Sequence, residues 1–252
     1  MPVSRVVLLD TLNTLLQPQL IGDGCPNGLQ IEGKSIITKI VTGVTASQAL
    51  IDRAVECKAD AILVHHGYFW KGEDPCLTGM KKKRIATLLK HDINLFAYHL
   101  PLDIHPSLGN NAQLAARLGI SDIQNLEAGK YSIALKGVFT PPITPQALAA
   151  RLQQVLGKVP LFEQVEKDLI HTVAWCTGGG QKYIDLAANE GIDAFITGEV
   201  SEQTIHTARE MNIHFYAAGH HATERFGAQA VGDYLASQFD LEVDFIDIAN
   251  PA

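Results

Sequence analysis

Ala61-Ile62-Leu63-Val64-His65-His66-Gly67 decides how this chain is read. A continuous apolar run this short, bounded by polar and glycine positions, has no helical period, so Ala61 to Val64 reads as a buried strand with two histidines at its carboxyl end. Neighbouring side chains on a strand point to opposite faces. Both imidazoles therefore reach one centre only if the backbone turns, and Gly67 permits a turn there. Ligands in open α/β sheets collect at the carboxyl ends of strands, which makes the pair a candidate metal site. Taken alone, such a pair reads first as a core histidine beside a surface one.

The pattern repeats outward from this strand. Ile36 to Val44 reads as a strand, Ser47 to Cys57 as a helix, Lys82 to Lys90 as a helix, Ile93 to Tyr98 as a strand and Asn111 to Leu118 as a helix. This alternation predicts an α/β fold with a mainly parallel sheet flanked by helices. Upstream, Val7, Leu8, Leu12, Leu15 and Leu16 give an amphipathic helix from Ser4 to Gln17, stopped by Pro18. The turn cluster Asp23-Gly24-Cys25-Pro26-Asn27-Gly28 follows, then a short strand at Leu29 to Gly33. Gly28 to Ser35 matches the phosphate-loop pattern by letter, but a turn precedes it and a β-branched run follows, where such a loop needs a strand before and a helix after. Lys81-Lys82-Lys83-Arg84 reads as a solvated helix face or as a patch for an anionic ligand.

Further along, Lys130 to Phe139 reads as a strand ended by Pro141-Pro142, and Thr144 caps a helix to Leu156 with Pro145 at its first position. The segment from Lys39 to Ile62 then aligns without gaps on Thr172 to Phe195, with Gln48, Ile51, Asp52, Ala54, Asp60 and Ala61 recurring at a constant offset. With a small shift, Leu95 to Asp103 resembles Tyr216 to Glu224. The chain is expected to hold two pseudo-related α/β halves, 1–124 and 125–252, with a C-terminal strand free to return to the first.

Composition bounds the partners. A chain of 252 residues with 46% hydrophobic and 19% charged residues is ordinary for a globular protein, and its formal charge of -7 gives nucleic acid no general electropositive surface. Cys25, Cys57, Cys76 and Cys176 form no Cys-x-x-Cys pair, which fits reduced thiols. No stretch approaches a membrane span and no signal peptide is evident, so a cytoplasmic location and no membrane partner are expected.

Each half ends a strand with a histidine followed four positions later by an acid, His99 with Asp103 and His220 with Glu224. Positions i and i+4 share a face if the backbone turns helical there. His65, His66, His99, Asp103, His220, His221 and Glu224 are therefore candidates at similar depth, a mixture suited to zinc, manganese or iron and too rich for one tetrahedral ion. That excess argues for two divalent ions. Glu199, in Thr197-Gly198-Glu199, falls where His66 falls in the first half; it is a candidate general base or holder of a water at the ions. His206 on the following helix is a second catalytic candidate, with a surface or helix-capping role as the alternative. Gly178-Gly179-Gly180 reads as an anion-holding turn or as a plain tight turn.

Pro26-Asn27-Gly28-Leu29-Gln30, His65-His66-Gly67, the His99 to Asp103 segment, Thr197-Gly198-Glu199 and Gly219 to Glu224 together resemble the signature segments of the NIF-three-like family, also called GTP cyclohydrolase I type 2 homologs. The resemblance spans the chain and is closest to the compact bacterial members. It implies the NIF-three-like fold and a dinuclear metal site with His65, His66, Asp103, His220 and Glu224 as ligands, Glu224 as the bridge, and His99 and His221 outside the ligand shell. A toroidal homohexamer is implied as well. For His99 the residues leave open a donor that orients a ligand or a satisfied core histidine. The expected function is metal-dependent hydrolysis of a nucleotide-like substrate, with the family name pointing to GTP. The alternative is a non-catalytic metal carrier, or a ring-shaped scaffold for nucleic acid or protein.

Overall fold

The computed structural model describes residues 2–129 and 131–252, so the expected strand start at Lys130 lies outside the described residues. The chain forms two compact units, Met1–Leu108 with Gly227–Ala249, and Gly109–Phe226 with Asn250–Ala252.

In the first unit, β1 (Val3–Ser4) runs into α1 (Arg5–Leu16), where Ser4 caps the helix by accepting a hydrogen bond from the Val7 amide. Leu8, Leu12 and Leu16 are buried, and the helix stops at Gln17, whose φ of 48° is left-handed, immediately before Pro18. After β2 (Gly28–Ile31), the expected strand from Ile36 to Val44 is broken into β3 (Ile36–Ile37) and β4 (Lys39–Thr45). The break has a cause: the amides of Thr38 and Lys39 both donate to one oxygen of Asp60. α2 (Gln48–Glu56), β5 (Ala61–His66), α3 (Gly79–Lys90), β6 (Asn94–Ala97) and α4 (Leu100–Ile104) follow. The five-stranded sheet is ordered C-terminal strand Glu242–Phe245, β4, β5, β6, β2, with only β2 antiparallel. Ile62 and Val64 join the apolar cluster under Leu50, Ile51 and Leu88, while Ala61 and Leu63 join the one with Leu8, Leu12, Val231 and Leu235. Burial on both faces explains the unbroken apolar run.

The phosphate-loop lettering has no phosphate-loop structure. β3 follows it rather than a helix, the Gly33 amide donates to Asn94 Oδ1, and the Lys34 ammonium pairs with Asp60 at 2.6 Å.

The second unit begins with α5 (Asn110–Leu118) and β7 (Ser121–Asn125). Its strand β8 (Leu135–Ile143) runs through Pro141-Pro142 instead of ending before them. Pairing with the later strand β10 (Ile170–Cys176) passes from Thr172↔Val138 to Ile170↔Ile143 across an irregularity, so the prolines sit in a bulge where no ladder amide is needed. α6 (Pro145–Leu156) is capped by Thr144 as expected, then come β9 (Leu161–Glu163), β10 (Ile170–Cys176), α7 (Ile184–Asn189), β11 (Ala194–Thr197), α8 (Glu202–Glu210), β12 (His214–Ala217) and α9 (His220–Thr223). The sheet order is β7, β8, β10, β11, β12, β9, parallel only through β10, β11 and β12. The last helix, α10 (Arg225–Gln238), carries the chain from the second unit back into the first.

The two units share more than strand order. Asp60 accepts from the amides of Thr38 and Lys39 and pairs with Lys34; Asp193 accepts from the amides of His171 and Thr172 and pairs with Lys167. Every member of the second clamp stands at the alignment offset from its counterpart in the first. Asn94 donates to the Lys34 carbonyl, and the His214 ring bonds the Lys167 carbonyl from the matching place on β12.

Candidate metal centre

β5 continues through both histidines, two residues past the end of the apolar run. His65 is wholly buried and His66 half-buried, yet their ring centroids are 4.5 Å apart. Gly67 is not among the residues of positive φ. Its value lies in close approach: a Cβ there would overlap the Gln30 side-chain oxygen, which accepts the Tyr68 amide at 2.7 Å. Gln30 also donates to the carbonyls of Pro26 and Tyr68, tying the turn after β5 to the Pro26–Gln30 segment.

Each histidine of the first unit's cluster is anchored through Nδ1. His65 Nδ1 lies 3.1 Å from the Tyr98 carbonyl, which can only accept, so Nδ1 carries the hydrogen and Nε2 the lone pair. His66 Nδ1 shares a hydrogen bond with Thr45 Oγ1 at 3.1 Å, and His99 Nδ1 is 2.8 Å from Asp23 Oδ1. His65, His66 and His99 bring one ring nitrogen each within 4.8 Å of one another. Asp103, on α4 and 5% exposed, places Oδ1 3.6 Å from His65 Nε2. That is long for a hydrogen bond but close to the separation of two ligands that each sit about 2.1 Å from a tetrahedral ion.

In the second unit, His220 lies between two acids. Its Nδ1 is 2.6 Å from Glu199 Oε1 and its Nε2 3.2 Å from Glu224 Oε2. The hydrogen bond to Glu224 is the largest influence on the imidazole and outweighs its burial; with Glu199 it lifts the pKa to about 9. The two acids hold a proton on this ring, and a cation bound at Nε2 would take that proton's place. Glu224 is 3% exposed. The triple glycine beside it serves proximity. Gly178, at φ +67°, would overlap Glu224 Oε1 if it bore a Cβ, and the amides of Gly178 and Gly180 donate to the hydroxyls of Thr223 and Thr197. Those two amides are thus committed within the protein rather than offered to an anion.

Each unit thus brings its own expected ligands together: His65, His66 and Asp103 in the first, His220 and Glu224 in the second. Glu199 joins His220 as an orienting acid. His206 stands exposed on α8 and pairs with Glu202 one turn away at 3.1 Å; His221 sits on α9 with its amide on the Ala252 carbonyl. The charge run on α3 is divided, with Lys81 paired to Glu73 at 3.2 Å, Lys82 and Lys83 exposed and Arg84 half-buried. Sequence reasoning assigned no role to Asp23, Asn27 or Thr45. Asp23 and Asn27 are signalled by the turn cluster in which they stand four residues apart, and Asn27 also by the Pro26–Gln30 segment; Thr45 carries no such signal.

Buried acids facing imidazoles whose other nitrogens are fixed are the donor set of a divalent-metal site, so the residues fit the ions expected of them. Among the described residues no helix is long and apolar enough to cross a membrane.

A family model described as Duf34/NIF3 (NGG1p interacting factor 3) matches residues 3–251. A Pasteurella multocida protein named GTP cyclohydrolase 1 type 2 homolog is 64% identical over 251 residues, 99% of this chain and 100% of its own. The solved structure described as protein ybgI, of unknown function, superposes with a TM-score of 0.95 at 55% identity, covering 99% of this chain and 100% of that one. TTHA1606 from Thermus thermophilus superposes with a TM-score of 0.90 at 34% identity, covering 99% of this chain and 100% of that one.

Proposed function

This chain belongs to the Duf34/NIF3 family, and from that premise we propose that it is a metal-dependent hydrolase of a nucleotide-like substrate, holding two divalent cations through His65, His66, Asp103, His220 and Glu224. The observation that carries the reading is the pairing of buried acids with oriented imidazoles at ligand-to-ligand spacing, Asp103 Oδ1 to His65 Nε2 at 3.6 Å and Glu224 Oε2 to His220 Nε2 at 3.2 Å. Bound there, paired cations supply positive charge for an attacking and a leaving oxygen at neutral pH.

The chain's own residues do the rest. The Tyr98 carbonyl and the Thr45 hydroxyl hold the His65 and His66 rings by Nδ1, which fixes the nitrogen each offers. Glu199 does the same for His220, and Gly178 lets the backbone close on Glu224. The name of the relatives points to a purine nucleotide such as GTP, while the donor set is equally suited to a phosphoester.

The test is metal analysis of the native protein, followed by incubation of the metal-loaded form with GTP, other nucleotides, phosphodiesters and peptides. Two equivalents of metal per chain and a turnover abolished by Asp103→Ala or Glu224→Ala are expected. Silence across the panel, with rapid metal transfer to apo-acceptors, would replace the hydrolase with a carrier.

A further inference from the structure

Pro26-Asn27-Gly28-Leu29-Gln30 stands out in the sequence, yet none of its residues is an expected ligand. Asn27 shows what part of it is for. Its Nδ2 donates to Asp23 Oδ2 at 3.0 Å while its Oδ1 accepts the His99 amide at 2.7 Å, so one side chain fixes both an acid and the backbone of a histidine seventy-two positions away. Asp23 also accepts from the Gly24 amide at 2.6 Å and the Leu100 amide at 3.0 Å, and His99 Nδ1 closes the set at 2.8 Å. The Asp23 side chain is 4% exposed. Burial alone would raise its pKa, but the hydrogen bonds from the His99 ring, the Asn27 side chain and the Leu100 amide overcome this and bring it down to about 2.

An ionised carboxylate can only accept, so His99 donates Nδ1–H to Asp23, and Nε2 is the nitrogen left to act beside His65 and His66. The His99 ring packs 5.0 Å from His65 and 5.7 Å from His66, centroid to centroid, with the Trp70 indole edge-on at 4.8 Å. Asp23, Cys25 and His99 also lie close enough together to suggest a metal site of their own. Two observations count against it. Both Asp23 oxygens are filled by four donors, and burial, followed by the Asp23 charge, pushes the Cys25 thiol up to about 12, so it stays protonated. The anchors also differ in chemistry. His65 and His66 lean on a neutral carbonyl and a neutral hydroxyl, whereas His99 leans on a fixed anion that makes it the strongest hydrogen-bond acceptor of the three.

We propose that His99 is a catalytic contact rather than a metal ligand: its Nε2 accepts the hydrogen bond of the water or substrate hydroxyl that reacts beside the ions, and Asp23 and Asn27 are the positioning residues that fix its polarity. This assignment rests on the metal-dependent reading of the site, but its test needs no turnover.

Load the full chain with cobalt(II), measure cobalt per chain, and titrate azide by visible absorption in wild type, His99→Ala and Asp23→Asn. Azide brings no hydrogen to Nε2, whereas the water it displaces does. Losing the acceptor therefore makes displacement easier, and azide should bind about tenfold tighter in His99→Ala with cobalt content unchanged. Asp23→Asn should tighten azide as well, because an asparagine oriented with its amide oxygen away from the ring donates to Nδ1 and turns Nε2 into a donor. A protein that folds but has merely loosened would lose cobalt and bind azide more weakly, which would overturn the proposal. Loss of one cobalt equivalent from His99→Ala would make His99 a ligand and overturn it too, as would unchanged azide affinity in both variants. A wild-type protein that takes up no cobalt would remove the metal reading and this assignment together, whereas normal cobalt uptake with indifferent azide would remove this assignment alone.

Discussion

At the scale of single residues, the site is a matter of which nitrogen faces which way. Imidazole has two, and a ligand histidine is useful only when a partner holds the other. Glu199 is that partner for His220, and being 45% exposed it can be changed without opening a core. Glu199→Gln keeps an acceptor for Nδ1–H but removes the charge, and should weaken metal affinity about 10- to 100-fold with little change in thermal midpoint of the metal-free protein. Competition with a chromogenic chelator would measure it; unchanged affinity would return Glu199 to the surface. The residues that hold the rings were the least legible part of the sequence. His65 and His66 announce themselves as adjacent letters, but Tyr98 contributes a backbone carbonyl that no letter records, and Asp23 reaches His99 from the far side of the chain that runs from β2 through β6.

At the scale of elements, legibility followed locality. Ser4, Ser47 and Thr144 cap helices whose starts the sequence placed at those same residues, because a hydroxyl three residues before an amide is a local event. Pro141-Pro142 misled for the opposite reason: whether a proline ends a strand depends on the neighbouring strand's need for its amide, and here a bulge removes that need. The clamps at the entries to β4 and β10 were legible only as a repeat of letters, and their chemistry makes a prediction. In the folded protein burial would raise the pKa of Asp193, but the hydrogen bonds from Thr172, His171 and Lys167 more than offset it, leaving it lowered. A carboxyl lowered on folding contributes stability above its ordinary value of about 3.9, and that contribution is lost as pH falls through the folded value. Asp193→Asn should cost about 1 kcal/mol at pH 7 and flatten the acid side of the stability curve, read as urea midpoints between neutral and acid pH. An unaltered acid limb would show that other carboxyls dominate it.

At the scale of the whole molecule, the first unit is discontinuous in sequence. Its sheet is completed by Glu242–Phe245, which runs parallel to β4, and by the packing of Val231 and Leu235 from α10 against Leu8 and Leu12. A chain cut after Asp240 would leave β4 as a bare edge beside the strand that bears His65 and His66. It should lose hydrogen-exchange protection through β4 and β5 while β10 to β12 keep theirs, and it should aggregate more readily. Equal loss in both sheets would mean that the units do not unfold separately.

Chain order and unit order therefore disagree. On the ribosome, residues 109–226 emerge and can settle while the first unit's sheet still waits for its outer strand, which is synthesised after all of them. A stalled or prematurely released polypeptide would therefore present the continuous stretch 109–226 of the second unit joined to a first unit whose sheet still lacks its edge.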